Sequence, residues 1–159
     1  MGIETSKCDE GKTAVSLAVA CVGVRVALAT AFLSAVADRL GTWGPLGAPG
    51  VSWGSVPKYE EYVAQLNWYL PTNLVPTAGW IATSCEVIFA IGLLIGWRLH
   101  WFAVGAGVLL TLFAVTMAAA SGPKSPLDYS VPSAAAAAFL LAAVSRPLLS
   151  ETTGSDRSS

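Results

Sequence analysis

The stretch from Val75 to Gly96, VPTAGWIATSCEVIFAIGLLIG, is long enough to cross a bilayer and carries one carboxylate, Glu86, near its middle. A helix of about twenty apolar residues spans the hydrocarbon core. An acid at its centre costs roughly 2.5 to 3.5 kcal/mol on insertion scales unless a partner or a wet cavity receives it. The chain must therefore supply that partner. The other charge well inside an apolar stretch is Arg25, in TAVSLAVACVGVRVALATAFLSAV, and it is the expected partner. Arg25 stands twelve residues beyond Thr13, and Glu86 ten before Gly96. At about 1.5 Å per residue, antiparallel neighbours would hold the two side chains at nearly equal depth. Such a pair serves either as a ligand site within the membrane or as a staple that fixes helix register.

With 54% hydrophobic and 12% charged residues, and a mean hydropathy of +0.61, the chain has too few charges for a soluble surface, so an integral membrane protein with lipid as its first partner is expected. The net charge is -1 and no run of Lys or Arg appears, which points away from nucleic acid. Cys8, Cys21 and Cys85 form no close pair, so neither a dithiol nor a zinc site is signalled. Cys21, one turn before Arg25, and Cys85, beside Glu86, read as small buried hydrophobes or as a redox pair across two spans. His100 is the single histidine, which excludes bis-histidine haem ligation within one subunit, and no metal is expected.

The expected fold is all-α: an integral membrane four-helix bundle with an extracytoplasmic cap of loop and amphipathic helix between helices 1 and 2. Residues 1–12 are polar and read as a disordered lead, and 150–159 as a disordered tail. Residues 13–149 form one domain, with spans at about 13–37, 74–96, 99–120 and 131–149 and the cap at 38–73. The first apolar run is longer than a signal-peptide core and holds Arg25, so it is expected to be retained as a helix. GTWGPLGAPGVSWGSVP then precludes helix or central strand. In KYEEYVAQLNWYLP, Tyr59, Tyr62, Val63 and Leu66 recur at helical spacing, so a short surface helix is expected. Gly92 and Gly96 form a GxxxG that would serve packing within the chain or a homodimer. Counting Lys and Arg by side gives five against three in favour of cytoplasmic termini.

Near the outer surface stand Asp38, Arg39, Lys124, Asp128 and Tyr129, with Trp43, Trp53 and Trp68 in the cap. If the cap folds over the bundle mouth, these charges line a polar vestibule leading down to Arg25 and Glu86; otherwise they are solvated loop charges with belt tryptophans.

Arg25, the run SAVADRLGTWG, VSWGS, ATSCE with IGLLIGWR, and KSPLDYSV together give the chain its resemblance to the DoxX/DoxD-like family of small four-helix bacterial membrane proteins, over roughly residues 20 to 143. The resemblance implies a bacterial inner-membrane protein associated with a redox system, as a small subunit of a quinol oxidase or of a thiosulfate:quinone oxidoreductase. A bound quinone and other redox subunits are the implied cofactor and partners. It marks Arg25, Asp38, Arg39, Glu86, Lys124 and Asp128 as candidate site residues without assigning chemistry. A dimeric permease or proton pathway and a non-catalytic scaffold are the alternatives.

Overall fold

The computed structural model describes residues 3–145, with side chains from Thr13 onward, and the described backbone is helices joined by turns and loops. Helix α1 is Ile3–Arg39, α2 Val56–Leu66, α3 Val75–Ile95, α4 Leu99–Ser121, α5 Lys124–Asp128 and α6 Val131–Val144. A 3-10 turn, Thr72–Leu74, leads into α3.

Three helices are long and apolar enough to cross a membrane: α1 from Thr13, α3 with its leading turn, and α4. These mark a membrane protein. The expected fourth span is shorter than anticipated. Helix α6 has 14 residues, about 21 Å at 1.5 Å per residue against a hydrocarbon core of about 30 Å. It ends where the Ser145 hydroxyl donates back to Leu141 O at 2.6 Å. Residues 146–149 and the tail 150–159 lie outside the described residues. The polar lead, expected to be disordered, is helical from Ile3. It has no proline to stop α1, and Gly11 opposes helix by only about 1 kcal/mol relative to Ala.

Small residues set the packing. Ala90, Ala103, Ala106 and Ala138 are wholly buried, with Leu28, Ala29, Phe32, Leu93, Leu141 and Ala142 around them. In lipid no hydrophobic force draws apolar helices together, so close van der Waals approach between small residues has to do it. Glycines act as seats for rings: Gly92 for Phe102, Gly105 for Phe89 and Gly107 for Phe139. Gly92 therefore faces α4 of its own chain. Gly96 closes α3 in the left-handed conformation, φ +78°, against the Arg25 guanidinium. Of the two readings of this GxxxG, both glycines serve packing within the chain.

The helices are staggered. The last residue of α1, Arg39, meets Thr83 and Glu86, while Arg25 meets Leu93 and Leu94 near the far end of α3. Thus α1 stops partway along α3, and Thr13 to Ala20 are exposed on every side beyond the bundle. The chain after Arg39 returns through consecutive turns closed by Gly44 N–H to Gly41 O, Ala48 N–H to Pro45 O and Val51 N–H to Ala48 O. Gly54, at φ +65°, lies so close to the Pro45–Leu46 peptide that a Cβ would overlap it. Helix α2 then lays Tyr59, Val63 and Leu66 inward, as its periodicity anticipated.

Candidate functional site

The site forms where α1 ends against the middle of α3. Arg39 and Glu86 are 4% and 1% exposed, and the guanidinium holds the carboxylate with both terminal nitrogens, Nη1 to Oε2 and Nη2 to Oε1, the latter at 2.8 Å. Nη1 also donates to Thr83 Oγ1 at 2.9 Å, and the Thr83 hydroxyl donates to Gly79 O at 2.9 Å. Thr83 precedes Glu86 by three residues and so shares its face of α3. Desolvating two charges costs several kcal/mol per ion. The bidentate geometry offsets much of that cost. Further compensation comes from aromatic faces: the guanidinium carbon lies 4.1 Å from the Tyr59 ring centroid and 5.2 Å from that of Trp53.

Each ring is placed by a specific feature. Tyr59 reaches the site because Gly79 has no side chain; its ring stands 3.2 Å from where a Cβ would be. Trp53 is held by Asp38, whose buried carboxylate accepts N–H bonds from Ser52 at 2.8 Å, Trp53 at 3.3 Å and Gly54 at 3.1 Å. Adjacent residues at the end of α1 thus divide the work: Asp38 fastens the cap loop and Arg39 fastens α3.

One polar atom of the junction lacks a partner. Arg39 Nε is buried with no acceptor. Arg39 also lines a shallow cleft of about 10 Å³, room for about one water, together with Leu40, Val56, Tyr59, Glu60, Pro76, Gly79, Trp80 and Thr83. The Tyr59 phenol is raised above its ordinary pKa, chiefly by burial, with the Arg39 charge opposing and the Glu86 charge adding. It stays protonated as a hydrogen-bond donor near neutral pH.

The expected Arg25–Glu86 pair does not form. Arg25 Nε donates to Leu93 O at 2.7 Å and Nη2 to Leu94 O at 2.9 Å, at the end of α3. The last carbonyls of a helix lack intrahelical partners and carry the negative end of its dipole, so they serve a cation well. Arg25 and Glu86 stand at different depths because α1 and α3 are staggered.

The expected vestibule divides as well. Asp38 and Arg39 are buried, whereas Lys124 and Asp128 pair with each other one helical turn apart on α5, and both are exposed, as is Tyr129. Of the cap tryptophans, Trp53 covers the site. Trp43 and Trp68 point outward, and Trp43 Nε1 donates to Ser34 O at 3.1 Å.

Cys21 and Cys85 are half-buried free thiols, one turn from Arg25 and beside Glu86, and so stand at different heights rather than as a redox pair. His100 Nδ1 bonds Ala142 O at 2.9 Å, tying α4 to α6. Thr111 and Thr116 donate to carbonyls of their own helix. Among the described residues, no three His, Cys, Asp or Glu side chains converge as metal ligands do.

Sequence reasoning missed Thr83 and the role of Tyr59. The Thr83–Glu86 spacing was a usable signal; for Tyr59, only its place on the inward face of α2 was. No family model, no curated protein and no solved structure matches the chain.

Proposed function

We propose that the protein is an accessory subunit of a membrane redox system that holds a quinone at the Arg39 cleft, beneath the cap. The observation that carries this reading is the buried, unpartnered Nε of an arginine that lines an apolar, aromatic cleft. An orphaned buried donor is costly, and in this reading a ring carbonyl is the acceptor that meets it. The residues around the cleft are of the right kinds, a donor at Arg39, a protonated phenol at Tyr59, and apolar surface from Leu40, Pro76 and Trp80, and in this reading the cleft widens to admit the ring. When bound, the quinone supplies the electron-carrying chemistry. The chain's own residues bind and orient it. Arg39 Nε–H donates to a carbonyl, and the exposed Trp80 ring offers a flat face. Glu86 is not at the cleft, and in this reading it is a positioning residue that compensates the Arg39 charge. Arg25 has no part in the site.

The reading agrees with the resemblance to the DoxX/DoxD-like family, since the Asp38–Arg39 pair, Ser52 to Gly54 and the Thr83 to Glu86 segment all belong to the runs that carry it. It places the protein in the bacterial inner membrane, with α6 as a fourth crossing and both termini cytoplasmic. A second reading, a non-catalytic scaffold, is favoured by one feature: the Arg39–Glu86 pair also ties the cap to the bundle.

The test is the quinone content of protein purified in mild detergent, measured by mass spectrometry of extracted lipid. Wild type and Arg25→Gln should carry quinone, and the charge-balanced Arg39→Met/Glu86→Leu and the cleft-rim variant Trp80→Gln should lose it while staying folded. Wild type without quinone, or a folded Arg39→Met/Glu86→Leu that retains it, overturns the assignment and leaves the scaffold.

A further inference from the structure

We infer that the turn between α3 and α4, with Arg25 of α1 against it, binds the headgroup of an anionic phospholipid. The site is separate from the Arg39 junction, since Gly96 stands ten residues beyond Glu86 on α3, and it is independent of the quinone reading. The cations of the described residues fall into two groups. Arg39, Lys58 and Lys124 each pair with a carboxylate, of Glu86, Glu61 and Asp128 in turn. Arg25 and Arg98 pair with none among the described residues, and both stand at this one turn. The Arg25 guanidinium lies against Gly96, two residues before Arg98. Its Nε and Nη2 donate to Leu93 O and Leu94 O. Those carbonyls hold the side chain but carry no net charge, and they leave Nη1 for a ligand. Arg98 is exposed, with its guanidinium carbon 5.2 Å from the Trp97 ring centroid. The acid before Arg25 on α1 is Glu10, fifteen residues earlier, about 22 Å along the helix.

The surroundings of the two cations specify a lipid rather than a free anion. Trp97, Trp101 and Ile95 are 68%, 65% and 71% exposed. Trp101 stands edge-on to His100, with ring centroids 5.3 Å apart, and His100 is itself tied to Ala142 O. Two spanning helices meet at this turn, and exposed tryptophans settle at headgroup level. A phosphate at that depth accepts charge-assisted bonds from the guanidinium groups, while its acyl chains lie against Ile95 and the indoles. A soluble anion gains nothing from that apolar surface. The charge also sets this turn apart from the rest of the lipid-facing surface: Asp38, Arg39 and Glu86, the other charges on α1 from Thr13, on α3 and on α4, are all buried.

The experiment titrates the full chain in mild detergent with phosphatidylglycerol, or with phosphatidylcholine of the same acyl chains, and counts bound lipid by native mass spectrometry. One basic residue beside an anionic headgroup contributes roughly fivefold in affinity. Wild type should therefore prefer phosphatidylglycerol by about 25-fold, and Arg98→Gln and Arg25→Gln should each lower that preference about fivefold. Arg98 is exposed, so its replacement tests the site without disturbing the fold. Lys124→Gln removes the same charge from the exposed α5 pair and should leave the preference unaltered. Equal binding of the two lipids by wild type, or an unchanged preference in Arg98→Gln, overturns the site. An equal loss in Lys124→Gln also overturns it, by reducing the effect to net charge. Displacement of phosphatidylglycerol from wild type by millimolar inorganic phosphate would make this a free-anion site and overturn the lipid assignment.

Discussion

Two arginines of α1 reach across to α3 and meet opposite environments. Arg39 finds a carboxylate, a hydroxyl and two aromatic faces, and is buried. Arg25, fourteen residues earlier, finds two main-chain carbonyls at the end of α3 and remains partly exposed. An arginine within an apolar stretch therefore does not require a carboxylate, because a helix C-terminus offers unpaired acceptors and a negative dipole end. The difference lies in what each depends on: Arg39 depends on the side chain of Glu86, and Arg25 on where α3 stops.

The sharpest break of this comparison is Glu86→Leu, which leaves the Arg39 charge buried without a counter-ion. Stranding one member of such a pair costs about 3 to 5 kcal/mol, so unfolding in mild detergent should shift by that amount. The double variant Arg39→Met/Glu86→Leu should recover most of it, since the pair itself contributes little beyond an apolar replacement. A double variant as unstable as the single would show that the charges stabilise the junction in their own right.

Arg25→Met has a smaller expected effect, about 2 kcal/mol, for two charge-assisted bonds to carbonyls. No second-site side-chain deletion can rescue it, because its partners are main chain. Gly96 supplies the check. Gly96→Ala strains a left-handed position and drives a methyl into the Arg25 guanidinium. The two substitutions should therefore be non-additive in a double-mutant cycle.

The cap distinguishes the two regions by pH. The Tyr59 phenol, raised by burial, is held neutral in the folded protein after an unfolded chain would have ionised it near the ordinary value of about 10. The folded state then binds more protons than the unfolded one, so stability is constant below about pH 10 and falls as pH rises through that value. Tyr62, also raised chiefly by burial, adds in the same direction. Tyr59→Phe should flatten part of the alkaline loss as followed by tryptophan fluorescence, and Arg25 variants should leave it unaltered.

Much of this was legible in the sequence. Of the four spans placed by hydropathy three are helices long and apolar enough to cross a membrane, and the spacing of Tyr59, Val63 and Leu66 placed α2 with its inward face. Asp38, Arg39 and Glu86 stood out as charges beside or within apolar runs, and all three are buried at the junction. The pairing was not legible. Depth was counted from the ends of apolar runs, as if the runs began level, and hydropathy carries no information on stagger. The stagger comes from contacts such as Tyr59 against Gly79 and the Asp38 carboxylate on the cap loop, which no local pattern encodes. The same blindness joined Lys124 and Asp128 to the vestibule, when their i,i+4 spacing suffices to satisfy them in water.

That exposed pair supplies the smallest expected effect and the control for the comparison. Lys124 and Asp128 meet at the surface with side chains 84% and 56% exposed, where screening and side-chain entropy leave an ion pair at roughly 0 to 1 kcal/mol. Lys124→Ala should change unfolding by less than about 0.5 kcal/mol, the level of an ordinary helix-surface pair, and added salt should erase what difference there is. Salt should scarcely alter the Glu86→Leu loss, because Arg39 is stranded out of reach of counter-ions. A loss at Lys124 comparable to that at Glu86 would mean that α5 closes over the Arg39 junction, and would restore the continuous vestibule that the exposed Lys124–Asp128 pair otherwise rules out.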